Sequence, residues 1–417
     1  MKHKLYAALL SAAILLSGCA AAPQQQTAAP QPSTSATPPT QPQNQGWMVP
    51  EDAFPSYSDE ILYVRELGKV TGKDAFTDTA QRFDVGATDL GFCYYDSDLG
   101  RLVTIFGDTC SSLEGNDWRS NVALYTTQTD YSTGIAFEGA LTANGAAENG
   151  QAVQLTPNSS RAPLMTGEAE ITPKTSTCIP TGAVMVGSTT YLYYMEIDEN
   201  NFLDSGEWGV YCCRVLKSED HGESWTQVEG LAWQARTETG EVGVAPNFAQ
   251  IYPFLAEDGY IYIYGIPGGR SGGVKLGRVA EDQIENFEAY EYFTGLDDDG
   301  SAKWRSGSSG LSYIKQRDSA YVIDMPCGEM CVTYNAYLGK YLALYQNGSS
   351  LVYRTADNPW GPFSKPETIL KTATDVYLGY GAFTCQQMAD NGGQRIWILV
   401  SEWWPIYNVS QIEIVFR

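Results

Sequence analysis

The sequence predicts an all-β fold, specifically a five-bladed β-propeller. Three observations carry this. A turn, an apolar or aromatic strand core and a following strand recur five times in the same order. The cores are nearly continuous in apolar residues, as expected for strands covered on both faces. No stretch after the N-terminal segment shows a long helical period. A unit of about four antiparallel strands, repeated, is the sequence form of a propeller. The rival, a jelly roll or other sandwich, does not require the repeated order.

The five cores are Leu102–Phe106, Tyr191–Met195, Tyr260–Tyr264, Tyr341–Tyr345 and Ile396–Val400. Each follows a turn signal: Leu99-Gly100, Gly187-Ser188, Asp258-Gly259, Leu338-Gly339 and Asn391-Gly392-Gly393. A strand precedes each turn: Leu90–Tyr95, Ala183–Val186, Ile251–Leu255, Cys331–Tyr334 and Ala382–Gln387. A third strand follows each core: Val122–Thr127, Val210–Leu216, Val274–Val279, Leu351–Thr355 and Val409–Phe416. Residues 51–85 are expected to supply an outer strand that closes the ring. Ser218-Glu219-Asp220-His221-Gly222-Glu223-Ser224-Trp225 matches the S-x-D-x-G-x-x-W pattern of an Asp box. Such an aspartate bonds its own turn and the tryptophan packs between blades, so Asp220 and His221 read as structural. The run Arg354–Ser364 occupies the equivalent turn of the fourth unit.

The chain divides into three segments. Residues 1–19 have a basic start, a short apolar run and Leu16-Ser17-Gly18-Cys19, the layout of a secretory signal too short to span a membrane. The end of that segment resembles a lipobox, so Cys19 is the expected lipidation site and the membrane is reached through lipid alone. Residues 20–50 carry no charge and are rich in Pro, Gln, Thr and Ala, the composition of a flexible tether. Residues 51–417 form the propeller domain. The expected location is the extracytoplasmic face of a cell membrane, with the protein acting as a monomer.

Composition excludes several functions. With 26 Lys+Arg against 49 Asp+Glu, a nucleic-acid partner is not expected. Of two histidines, His3 lies in the signal, leaving only His221. A histidine-rich zinc site is therefore impossible, and a Ser-His or Cys-His centre would have to use His221. No metal or other cofactor is expected. The acidic loops Asp297–Gly300 and Asp198–Asp204 lack EF-hand spacing and read as solvated. Eight cysteines follow Cys19 in an exported chain, where disulfides are permitted. Cys327 and Cys331 are close enough to pair, and buried free thiols are equally compatible.

Carboxylates are left to carry any chemistry. In an antiparallel meander, starts of first strands, ends of second strands and starts of third strands share one rim. First-strand starts bring Asp89, Thr181, Gln250, Glu329 and Tyr380 toward the axis. The loops bring Asp108, Arg119, Asn121, Glu196, Arg270, Asn347, Glu402, Trp403, Trp404, Tyr407 and Asn408. Asp89, Asp108 and Glu329 stand among small or apolar neighbours, where an acid is either paired or functional. Paired acids with aromatic faces are the equipment of glycoside hydrolysis. The competing reading is a set of rim ion pairs with Arg119 and Arg270.

Ordered short motifs add a resemblance. Val70-Thr71-Gly72, Thr88-Asp89-Leu90-Gly91, Phe106-Gly107-Asp108-Thr109 and Trp118-Arg119-Ser120-Asn121 are followed by Ile179-Pro180-Thr181-Gly182, Asn247-Phe248 and Gly268-Gly269-Arg270. Gly328-Glu329, Tyr380-Gly381 and Tyr407-Asn408-Val409 complete the series. Over about residues 60–417 the chain resembles glycoside hydrolase family 183, the endo-D-arabinanases, a family long catalogued as a domain of unknown function. The resemblance implies a five-bladed propeller cleaving α-linked D-arabinofuranose chains of mycobacterial-type cell walls. It implies Asp89 and Asp108 as the leading catalytic pair, with Glu329 third. We assign Asp89 as base or nucleophile and Asp108 or Glu329 as general acid. Arg119, Asn121, Arg270, Trp403, Tyr407 and Asn408 are the expected substrate-binding residues. The cysteines near the motifs, Cys93, Cys110, Cys327 and Cys385, depart from the family pattern. The expected substrate is a polysaccharide or oligosaccharide. The alternatives are a non-catalytic glycan-binding lipoprotein and a structural module of the envelope.

Overall fold

A computed structural model describes residues 47–157, 175–198, 208–237, 239–270 and 272–417. The signal, Cys19 and nearly all of the tether lie outside the described residues, as do most of the acidic residues 198–204. The described residues from Trp47 onward form an all-β propeller arrangement, with short helices such as Thr79–Phe83 and Gly307–Lys315.

The strands form five sheets. The first contains Leu90–Asp96, Arg101–Phe106, Val122–Thr126, Gly139–Thr142 and Gly145–Ala147 in chain order. The second contains Thr177–Val186, Thr189–Asp198, Gly209–Ser218 and Thr226–Gln234. The fourth contains Met330–Asn335, Lys340–Asn347, Ser350–Ala356 and Glu367–Lys371. The fifth joins both chain ends: Gly379–Phe383, Arg395–Glu402 and Asn408–Phe416 are completed by Ile61–Lys69. The closing strand expected within residues 51–85 is thus present, pairing antiparallel from Ile61↔Phe416 to Lys69↔Ser410.

The third sheet corrects the expectation of five equivalent units. Gln250–Leu255, Tyr260–Ile266 and Gly272–Ala280 follow the pattern, but the last strand has two further partners. Its second half pairs with Glu291–Leu296 through Gly277 and Arg278. Its first half pairs with Tyr321–Cys327, reached after a hairpin and the helix Gly307–Lys315. Four sheets are regular blades and this one is not. The cause is an insertion between residues 281 and 320, whose own apolar residues, including Tyr290, Tyr292, Leu311 and Ile314, build a side core with Trp233.

The innermost strands touch one another in sequence: Leu90–Asp96 with Thr177–Val186, that with Gln250–Leu255, then Met330–Asn335, then Gly379–Phe383, which returns to Leu90–Asp96. The largest core runs through these strands and joins Phe92, Tyr252, Cys331 and Phe383. Removing aromatic surface of this extent from water is the main stabilising term of such a ring.

The Asp box sits between the last two strands of the second sheet, as expected. Asp220 accepts from Ser218 Oγ, Ser224 N and Ser224 Oγ at 2.8, 2.8 and 2.5 Å. Trp225 donates to the Gly222 carbonyl and is fully buried against Tyr94 and Val103 of the first sheet. His221 lies 3.2 Å from Asp96, at the end of its strand remote from Asp89. All eight cysteines among the described residues are free thiols, so Cys327 and Cys331 are not bridged.

Candidate active site

Backbone geometry aims Asp89 at the axis. The next residue, Leu90, has φ +62° and Gly91 has φ +126°, and the pairing slips between Leu90 and Phe92. A β-branched or bulky residue at positive φ is a real outlier, and a bulge re-aims the side chains beside it. Two ties hold the bend. Ser401 Oγ accepts from Leu90 N at 2.7 Å, and the Asp89 carbonyl accepts from Gly107 N at 2.9 Å. Gly107 is also required by space, since a Cβ there would lie 2.3 Å from Asp89 Oδ1.

Asp89 and Asp108 line one cavity of about 690 Å3, together with Glu329, Arg270, Tyr380 and Trp208. Every sheet contributes to it: the second through Thr177 and Pro180, the third through Gln250 and Arg270, the fifth through Tyr380 and Tyr407. It is therefore an axial cavity at the rim reached by starts of first strands.

The three acids stand in different surroundings. Tyr380 donates to Asp89 Oδ2 at 2.7 Å, while Oδ1 is buried without a hydrogen bond. An ionised carboxylate with one oxygen so placed is costly. Burial pushes the Asp89 carboxyl up to about 6, against the opposing pull of the Tyr380 and Tyr407 hydroxyls. Glu329 adds to the rise and Arg270 opposes it. Asp108 is half-buried and accepts from Trp118 Nε1 at 3.1 Å and Thr177 Oγ1 at 3.4 Å. Glu329 is buried and fully engaged by Arg270, with three contacts of 2.8–3.0 Å between guanidinium and carboxylate. Such a bidentate pair fixes both partners. Gly328 keeps this approach open, since a Cβ there would meet Gln346 Cβ at 3.0 Å and Arg270 Cγ at 3.3 Å. The guanidinium also stacks over Tyr380, 4.6 Å from the ring centroid, and beside Trp208 at 5.6 Å. The Glu329 charge keeps Arg270 protonated despite the burial that works against it.

Of the nine expected catalytic and binding residues, six line the cavity: Asp89, Asp108, Glu329, Arg270, Trp403 and Tyr407. Trp403 is exposed and meets Tyr407 edge-on at 5.7 Å. Three do not line the cavity and hydrogen-bond within the fold instead. Arg119 is buried and donates to the carbonyls of Asp84, Asp117 (3.2 Å) and Ala152 (2.6 Å). Asn121 is buried and binds Thr156 Oγ1, the Cys178 carbonyl and Leu155 N, which joins the first sheet to the second. Asn408 accepts from Thr71 Oγ1 and donates to the Gly86 carbonyl. In each case the polar group satisfies backbone that the ring has buried. Glu196 and Glu402 are likewise paired, with Arg214 at 2.8 Å and with Lys69.

The expected list missed Tyr380 as a direct partner of Asp89, Trp118 as a donor to Asp108, and Trp208 as a wall. Tyr380 and Trp118 stand in quoted motifs and could have been found there. Trp208 adjoins an acidic stretch that reads as solvated loop. Among the described residues, no group of three or more His, Cys, Asp and Glu could hold a metal ion.

A propeller arrangement with acids of unlike environment around an axial cavity defines the general class. More particularly, the chain belongs to the family described as "Domain of unknown function (DUF4185)", whose model matches residues 74–413. It is 26% identical over 361 residues to notoamide biosynthesis cluster protein J of Aspergillus sp. (strain MF297-2), covering 82% of this chain and 86% of that protein. Notoamide biosynthesis cluster protein J' of Aspergillus versicolor is 26% identical over 347 residues, with 80% and 85% covered. Among solved structures, a candidate hydrolase of Bacteroides ovatus ATCC 8483 shares the fold, with a TM-score of 0.53 and 13% identity over 87% of this chain and 93% of that one.

Proposed function

We propose that this protein is a glycoside hydrolase, endo-acting on α-D-arabinofuranosyl chains of mycobacterial-type arabinan. The observation that carries the reading is the pair Asp89 and Asp108 in unlike surroundings on one cavity. Two carboxyl groups held in unlike environments can divide the acid and base roles between them. The roles are the reverse of our sequence-based assignment. Asp89, raised to about 6, suits the general acid, and Asp108 the base or nucleophile. Asp89 gives its proton to the leaving glycosidic oxygen as the anomeric C–O bond breaks. Water adds at the anomeric carbon, directly or after a covalent intermediate on Asp108, and its proton restores the acid pair. Glu329 neutralises Arg270, and the two set the field around Asp89 without leaving their ion pair. Trp403 and Tyr407 offer faces for sugar rings.

The family-183 resemblance supports the arabinan substrate, and the layout of residues 1–19 supports a lipid anchor on Cys19 at the extracytoplasmic face. We also read the irregular third sheet as a fifth blade, supported by the cycle of innermost strands. The test is incubation with mycobacterial arabinogalactan and, as control, plant L-arabinan, with product analysis. Wild type should release D-arabino-oligosaccharides, and Asp89→Asn and Asp108→Asn should each lose at least a hundredfold of that activity. Full activity in both variants sinks the catalytic assignment. Binding without products from wild type makes the protein a glycan-binding module instead.

A further inference from the structure

A second cavity, of about 270 Å3, adjoins the first at Trp208. Trp208 lines both cavities and is the residue their walls have in common. The second cavity falls just under the roughly 300–1,000 Å3 typical of small-molecule sites, room for a single sugar-sized unit. Its walls join ring faces and polar groups: Tyr321, Pro246 and Pro267 with Arg236 and Asn247. Rings and proline faces suit the C–H face of a sugar, while guanidinium and amide suit its hydroxyls. Arg236 donates to the Gly240 carbonyl at 3.3 Å, and the half-buried Asn247 amide has no side-chain hydrogen bond among the described residues. The Trp208 ring is held in turn by the Arg270 guanidinium, 5.6 Å from its centroid and itself locked on Glu329.

We infer that this second cavity is a distal subsite that takes a neighbouring residue of the glycan whose cleavage is proposed at Asp89 and Asp108, with the chain crossing Trp208. The inference rests on that proposed function. A chain that reaches both cavities gains contacts that a short one cannot, so preference for longer substrates should reside at Asn247 and the cavity mouth. Val242 borders the mouth with a side chain 59% exposed, so a longer residue there obstructs the cavity without entering the core.

The experiment compares wild type, Asn247→Ala and Val242→Arg on α-D-arabinofuranosyl oligosaccharides of graded length. Calorimetric binding to the same variants made on Asp89→Asn runs in parallel. The expected result is that the kcat/KM ratio of the longest to the shortest substrate falls about tenfold in both variants, the scale of one or two net hydrogen bonds. Val242→Arg decides the matter if Asn247→Ala does not fold. A length ratio unchanged from wild type, with wild type cleaving normally, overturns the subsite and leaves the proposed function standing. Absence of both cleavage and binding in wild type overturns the two together.

Discussion

At Asp89, burial and hydrogen bonding pull in opposite directions, and burial wins. The folded protein holds this proton up to about pH 6, whereas an unfolded aspartate releases it near 3.9. Below the unfolded value the carboxyl is protonated in both states and costs nothing. As pH rises from about 4 to 6 the unfolded state ionises first, so this group lowers stability, and the full cost is present above 6. Asp89→Asn should therefore be more stable than wild type at pH 7, by roughly 1–3 kcal/mol on the scale of 1.36 kcal/mol per unit, and equal to it at about pH 3, below both values. Urea unfolding at both pH values measures this. Tyr380→Phe removes the 2.7 Å hydrogen bond, which favours the charged form. The Asp89 value should rise further, and the alkaline limb of kcat/KM should move to higher pH. A profile that loses amplitude without moving would mean that Tyr380 only packs. Side-chain identity alone could not separate such residues from their neighbours. Asp108 and Arg119 stand in adjoining motifs, yet one lines the cavity and the other holds three buried carbonyls. A polar residue at a strand start fits both roles until the backbone it serves is known.

Individual strands were legible because an aromatic or aliphatic run bounded by glycine turns has few other solutions. Leu102–Phe106 is observed as Arg101–Phe106, Tyr341–Tyr345 as Lys340–Asn347, and Val409–Phe416 as Asn408–Phe416. The expected Ala382–Gln387 is observed as Gly379–Phe383, a strand that itself carries Gly381 at φ +64° and a register slip before Phe383. The irregular third sheet was not legible, since its extra partner, Tyr321–Cys327, arrives some 40 residues late, beyond any local pattern. The Asp box was legible because its signature is itself a local hydrogen-bond set. It also separates stability from activity. Trp225 is fully buried between two sheets, at the end of the strand remote from Asp89. Trp225→Ala should cost about 3–5 kcal/mol, with activity per folded molecule preserved. Denaturant unfolding alongside turnover at low denaturant checks both parts.

At the scale of the whole molecule, the ring is closed by pairing its beginning with its end. Asn408–Phe416 is buried at all nine positions, and Ile61–Lys69 pairs along its outer edge. Side chains reinforce the backbone ladder: Arg65 pairs with Glu413 at 2.5 Å, and Ser410 Oγ lies 2.7 Å from a carboxylate oxygen of both Glu66 and Glu402, its one proton bonding one of them. Trp47 adds a further contact, with the Arg395 guanidinium 4.7 Å above its ring. Without residues 47–69, Glu413, buried and paired from both sides, would lose Arg65 and keep only the longer contact with Arg395, 3.5 Å. The freed edge would present unpaired N–H and C=O groups along a β-rich strand, a template for pairing with another copy. A chain starting at Val70 should therefore form large oligomers or aggregate, whereas one starting at Trp47 should remain disperse. Size-exclusion chromatography with light scattering distinguishes them. If the shorter chain stays monomeric and unfolds at the same temperature, the ring does not depend on this closure, and the innermost strands hold it alone.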